Sequence, residues 1–263
     1  MNLGLSNKVA LIGGSSKGLG KACAFQLAKE GVHVAICARG SKALEETADA
    51  IKKSANVKVL PIQADLSKTE DICKVVQETM NVFGRIDILI ANSGGPPAAN
   101  FFKFTEKEWE NAFRSVLYYV VELYKQVIPQ MKQRKWGRII NITSLTVKEP
   151  EENLILSNVF RSGVVSLAKT ISRELIQHNI TINNLCPGAF KTERAYQLMA
   201  GKAQATGETV ENIEKKITES LPLRRFQDPE EIGDLVVFLV SELAKGITGT
   251  TIQIVGGIAK SLF

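Results

Sequence analysis

The sequence predicts an α/β fold: a single doubly wound parallel sheet of about seven strands with helices on both faces. Seven short runs rich in Val and Ile recur along the chain, at residues 8–14, 32–38, 57–64, 86–92, 138–143, 181–185 and 250–255. Most are continuously apolar rather than alternating, as suits strands covered on both sides. Segments of helical spacing separate them, and no repeat, low-complexity tract or linker divides the 263 residues. One domain spanning 1–263 is therefore expected.

The elements follow in order. The first strand pattern runs into Gly13-Gly14-Ser15-Ser16-Lys17-Gly18-Leu19-Gly20 and then a helix over 19–30, closed by Gly31 where a left-handed residue fits easily. Helices are expected over 42–54, over 69–83 with Gly84 as its stop, over 106–132 and over 153–178. A last helix over 229–241 has Asp228 as N-cap and Pro229, Glu230 and Glu231 in its first turn. Residues 191–221 break the alternation: they are polar, contain Gly201 and Gly207, and form two weakly amphipathic pieces. An insertion just past a strand's C-terminal end is positioned to cover a substrate.

Composition narrows the function. The chain is 44% hydrophobic and 23% charged, and no run approaches the roughly 18 apolar residues of a membrane span. The N-terminus enters a strand pattern directly, so neither signal peptide nor anchor is expected, and the cytoplasm is the expected location. The net charge of +6 comes from bases interleaved with acids, as at Glu106-Lys107-Glu108, which argues against nucleic-acid binding. Cys23, Cys37, Cys73 and Cys186 are widely spaced in apolar segments and read as reduced core thiols. With only His33 and His178 besides, neither a metal centre nor a Ser-His-Asp triad is expected.

Strand, glycine-rich turn and helix together make a phosphate site, because missing side chains let backbone amides approach a pyrophosphate. The turn Gly14, Ser16, Lys17, Gly18, Leu19 and Gly20 is thus expected to bind a dinucleotide in a Rossmann fold. An NAD site would place a carboxylate at the end of the second strand; here that strand ends Cys37-Ala38-Arg39. Arg39, with Lys17, is suited to clamping a 2′-phosphate, so NADP(H) is the expected cofactor.

These features resemble the short-chain dehydrogenase/reductase family along nearly the whole chain, and its 3-oxoacyl-carrier-protein reductase branch in the C-terminal half. Asp65-Leu66 is similar to the family's adenine-contacting pair, and Ala91-Asn92-Ser93-Gly94 to its NNAG motif. Pro187-Gly188 followed by Thr192 resembles its PG motif and the threonine that holds the carboxamide. The resemblance implies cofactor contacts at Asp65, Leu66, Asn92, Gly94, Pro187, Gly188 and Thr192. It also implies a homotetramer or homodimer built on the helices over 106–132 and 153–178.

The family's proton chemistry uses a serine, a tyrosine, a lysine and an asparagine. Ser144 matches the serine, whereas Ser157, Arg161 and Val116 stand where the other three are expected, with Ser162-Gly163-Val164 supporting the register. A serine hydroxyl is a far weaker acid than a phenol, and arginine does not readily give up its proton. Ser144, Ser157 and Arg161 remain the catalytic candidates. Lys148, Glu149, Glu151, Glu152, Tyr118 and Tyr119 are further candidates for an acid, while Cys186 reads as packing and Pro96-Pro97 as a rigid loop. Two functions stay open: an NADP(H)-dependent oxidoreductase acting on a carbonyl or alcohol, with a 3-oxoacyl thioester as the nearest conventional label, or a catalytically silent dinucleotide-binding protein.

Overall fold

A computed structural model describes residues 2–262. Seven parallel strands form one sheet in the order β3-β2-β1-β4-β5-β6-β7. They are β1 (Val9–Ile12), β2 (His33–Ala38), β3 (Val59–Gln63), β4 (Ile88–Ala91), β5 (Gly137–Ile142), β6 (Ile180–Pro187) and β7 (Thr251–Ile254). The helices are α1 (Gly18–Lys29), α2 (Ser41–Ser54), α3 (Thr69–Phe83), α4 (Glu106–Ala112), α5 (Tyr119–Arg134), α6 (Ile155–Leu175), α7 (Glu193–Thr206), α8 (Val210–Ser220) and α9 (Pro229–Val240). One apolar core joins the sheet to α1, α2 and α9, and a second joins its other face to α3, α5 and α6. The chain winds outward from β1 in both directions. The crevice above β1 and β4 is therefore the switch point at which doubly wound sheets bind ligands.

The turn chemistry read from the sequence is present. Gly84 closes α3 at φ 69°, Gly31 follows α1 at φ 78°, and Asp228 and Glu231 form a reciprocal capping box on α9. Several expected bounds shift by one to three residues, and one element differs in kind. Residues 106–132 are not one helix: a π-helical segment, Phe113–Tyr118, separates α4 from α5. It packs against α6 at Gly163, where a Cβ would lie only 2.9 Å from Leu117. An extra residue in one turn leaves the apolar spacing nearly unchanged, so periodicity cannot register it. The strand expected over 57–64 contracts to β3, an edge strand that contains Pro61, a residue that edges tolerate.

Residues 191–221 fold as α7 and α8, joined through Gly207 at φ 72°. They enclose a small core of their own, Met199, Ala203 and Ile213. The excursion begins and returns at one point, because Lys191 N donates to Gln227 O and Gln227 N to Ala189 O, both at 2.8 Å. Of the four cysteines, Cys23, Cys37 and Cys186 are buried, but Cys73 is exposed on α3, a correction to its reading as a core thiol. It occupies the outward side of an amphipathic helix whose inward side is Ile72, Val75, Val76 and Thr79. No helix among the described residues is long and apolar enough to cross a membrane.

Candidate active site

The C-terminal ends of β1, β2, β4, β5 and β6 open onto a cleft of ≈ 1250 Å³. Every residue expected at the site lines it except Gly20. Gly20 lies behind the turn, where a Cβ would meet the carbonyl oxygens of Gly14 at 2.4 Å and Gly13 at 2.8 Å. Its bare α-carbon lets α1 sit against the turn, so its contribution is close packing rather than ligand contact.

The phosphate end is built from backbone. Gly14 and Gly18 have φ of 56° and 57°, a region that L side chains rarely enter. No side chain caps the start of α1 and no acid occupies its first turn. Its amides thus face the cleft without a built-in anion, as a phosphate site requires. Asn92 braces this turn from β4: its Nδ2 donates to Gly13 O at 3.0 Å and Gly14 O at 3.3 Å. Arg39 lines the neighbouring wall, and there is no carboxylate at the end of β2. Asp65 turns one oxygen back on its own loop, accepting from Ser67 N and Oγ at 3.0 and 2.8 Å. These residues fit a dinucleotide with a phosphorylated ribose. One expectation changes here, because the Lys17 ammonium is engaged by Glu193 at 2.5 Å.

The other end holds Ser144, Ser157 and Arg161. Ser144 lies two residues past β5 and accepts from Thr146 N at 3.2 Å, which leaves its own proton free to donate into the cleft. Arg161 reaches beneath it from α6 and is only 9% exposed. Its Nη1 donates to Ile142 O at 2.8 Å and Thr143 O at 3.0 Å. Burial pulls its basicity down, and the Arg194 guanidinium adds to that. Val116 is buried in the π segment and does not line the cleft. At the end of β6, Gly188 allows close approach to β7, since a Cβ there would lie 2.9 Å from the Val255 α-carbon. The Thr192 hydroxyl caps α7 by accepting from Ala195 N at 3.3 Å.

The further acid candidates lie elsewhere. Lys148, Glu149, Glu151, Glu152, Tyr118 and Tyr119 are all outside the cleft lining. Glu149 instead accepts from the backbone of Lys260 and Ser261 in the C-terminal segment. Burial pushes the Tyr119 hydroxyl up from 10.0, making it a poorer acid, and pushes the Cys186 thiol up as well. Sequence reasoning missed Arg194. Its Nη2 donates to Pro96 O at 2.7 Å, and its guanidinium lies close to Gly95, where a Cβ would come within 3.1 Å of Nε, tying α7 to the Pro96-Pro97 loop. No local signal marks it, because both partners come from a distant loop.

The chain is similar along its length to known proteins. The family model described as Enoyl-(Acyl carrier protein) reductase matches residues 14–259. Dehydrogenase/reductase SDR family member 4 of Sus scrofa is 32% identical over 259 residues, which are 98% of this chain and 89% of that protein. The chain belongs to the short-chain dehydrogenase/reductase family. Within the family it is also similar to the 3-oxoacyl-[acyl-carrier-protein] reductase FabG of Staphylococcus epidermidis. That protein is 32% identical over 252 residues, covering 96% of this chain and 99% of the relative. The crystal structure of L-sorbose reductase from Gluconobacter frateurii, complexed with NADPH and L-sorbose, superposes with a TM-score of 0.94. It is 30% identical and both chains are fully covered.

Proposed function

We propose that this short-chain dehydrogenase/reductase is an NADP(H)-dependent oxidoreductase that interconverts a carbonyl compound and its alcohol through an atypical proton donor. The observation that carries the reading is the convergence of the uncapped α1 turn, Arg39, Ser144, Gly188 and Thr192 on one cleft. NADPH, when bound, supplies the hydride that adds to the carbonyl carbon. The amides of Gly18 and Leu19 hold the pyrophosphate, Arg39 the 2′-phosphate, and Asp65 and Leu66 flank the adenine. The Ser144 hydroxyl donates to the substrate oxygen and polarises the carbonyl. No tyrosine among the described residues lines the cleft, and the proton is assigned to water or to the Ser144 or Ser157 hydroxyl. Lacking a positioned acid, the reaction runs slower by roughly 100- to 10,000-fold. Helices α7 and α8 cover the substrate. The exposed Phe101, Phe102, Phe113 and Val159 beside α4 and α6 provide the apolar face on which two copies pair.

Paired fluorescence titrations with NADPH and NADH, followed by turnover assays on ketones and 3-oxoacyl thioesters, test the reading. Tighter binding of NADPH that is lost in Arg39→Asp, together with turnover, supports it. Binding without turnover of any carbonyl compound favours the silent binding protein, and binding of neither nucleotide overturns both.

A further inference from the structure

Arg161 stands apart from the other cations of the cleft because it is buried and pairs with no carboxylate among the described residues. Only Nη1 has partners, the carbonyl oxygens of Ile142 and Thr143. A guanidinium has five donors in a planar fork, so its Nε and Nη2 edge is left to the cleft. Arg194 is similar: Nη2 is anchored on Pro96 O, it is partly buried, and no acid offsets that burial. The carboxylates lining the cleft are Glu46, Asp65 and Glu193. Glu46 and Asp65 belong to the wall beside β2 and β3, and Glu193 is bound to Lys17. Both guanidiniums therefore line the cleft with no carboxylate paired to either among the described residues, and the Arg194 charge adds to the lowering of Arg161's basicity. A buried cation left without an anion is strongly unfavourable, and a carboxylate fills a guanidinium fork in bidentate fashion.

Position adds the second half of the argument. The carbonyls that hold Arg161 belong to Ile142 and Thr143, the residues immediately before Ser144. An anion on the free edge of Arg161 thus lies beside the hydroxyl assigned to the substrate oxygen. Leu154, Leu198, Met199 and Phe226 supply apolar wall to the same cleft. We propose that Arg161 and Arg194 form a receptor for a carboxylate carried by the substrate, so that the molecule held at Ser144 is an oxo acid with its carboxylate one or two carbons from the carbonyl. This rests on the carbonyl chemistry assigned above and deepens it: a neutral ketone or an acyl thioester leaves both cations uncompensated.

The test is calorimetric titration of benzoylformate and of its uncharged methyl ester into the free protein and into protein saturated with NADP⁺, in which no reduction takes place. The acid is expected to bind about tenfold or more tighter than the ester. Arg161→Met and Arg194→Met are each expected to weaken binding of the acid by about tenfold or more and that of the ester by much less, so that the preference is lost. Arg194→Met, at a partly exposed site, keeps the test decisive if Arg161→Met does not fold. Equal binding of acid and ester, binding of neither, or a preference that survives both substitutions overturns the receptor. So does an Arg161→Met protein that loses NADP⁺ affinity but keeps its preference for the acid, which would assign the guanidinium to the ribose. Failure of the oxidoreductase reading appears separately, as absent nucleotide binding or absent NADPH-dependent turnover of both the acid and the ester, and the titration of free protein still decides the receptor.

Discussion

The Lys17 ammonium at the start of α1 lies 2.5 Å from the Glu193 carboxylate at the start of α7. This pair bridges the mouth of the cleft, joining the phosphate turn to the α7–α8 excursion. Both side chains are more than half exposed, so the bridge contributes at most about 1 kcal/mol. A 2′-phosphate near Arg39 competes with Glu193 for the same lysine. Glu193→Gln is therefore expected to tighten NADPH up to about fivefold at low salt, with a smaller effect at high salt. Fluorescence titrations of NADPH at two ionic strengths check this.

Glycines of the turn differ sharply in what they tolerate. At Gly20 a Cβ would lie 2.4 Å from a main-chain oxygen that cannot swing aside, whereas at Gly40 nothing lies within 4 Å. Gly20→Ala is expected to destabilise the fold by more than about 2 kcal/mol and to abolish nucleotide binding. Gly40→Ala, at the N-cap of α2, should cost no more than about 1 kcal/mol and leave nucleotide binding in place. Urea unfolding and NADPH titration of the two proteins decide the comparison.

What was legible in the sequence is what depends on neighbours along the chain. Apolar runs, the glycine turn and the Asp228 cap are set by local chemistry, and Ser144 and Pro187 follow from their places at strand ends. Arg194 was illegible because its partners, Gly95 and Pro96, reach it only through the fold. The π segment was illegible because one inserted residue changes a turn without changing composition. The Lys17–Glu193 pair was illegible because its two members lie far apart in sequence. Ser157, Arg161 and Val116 were identified by spacing, but only burial shows that Arg161 hangs from β5 while Val116 is withdrawn from the cleft.

At the opposite end of the sheet, Arg138 is fully buried and its guanidinium stacks 4.4 Å from the Trp136 ring centroid. Glu242 serves both residues, accepting from Trp136 Nε1 at 2.6 Å and lying 3.4 Å from Arg138 Nη2. Burial lowers the basicity of Arg138 and Glu242 opposes that. Glu242→Ala leaves a buried charge and an indole donor unpartnered, so a loss of about 2 kcal/mol is expected. Glu242→Gln keeps the acceptor for Trp136 and should lose less, as measured by chemical unfolding.

His33 makes stability depend on pH near neutrality. Its Nδ1 accepts from Lys58 N at 3.1 Å, and its ring stacks on Phe83, so the fold requires the neutral imidazole. Burial lowers its pKa from 6.5, with Lys58 adding to the effect. Because the folded value is the lower one, the stabilisation is complete above 6.5 and disappears as pH falls through the folded pKa. The melting temperature should therefore drop between about pH 7.5 and pH 5.5, and His33→Gln should reduce that drop. Proton NMR of the imidazole should place the His33 midpoint below 6.5.

In the proposed reading Ser144 donates to the substrate oxygen, and its hydroxyl has a single local task, accepting from Thr146 N. Removing that weak bond should change stability by less than about 1 kcal/mol. Removing a donor aimed at a developing oxyanion has a larger effect, roughly 100-fold or more in kcat. Ser144→Ala is thus expected to fold and bind NADPH as the parent does while losing about two orders of magnitude in turnover. Ser157→Ala separates the two serines. If water delivers the proton it should retain kcat within about threefold, whereas a loss matching Ser144→Ala would make Ser157 the donor.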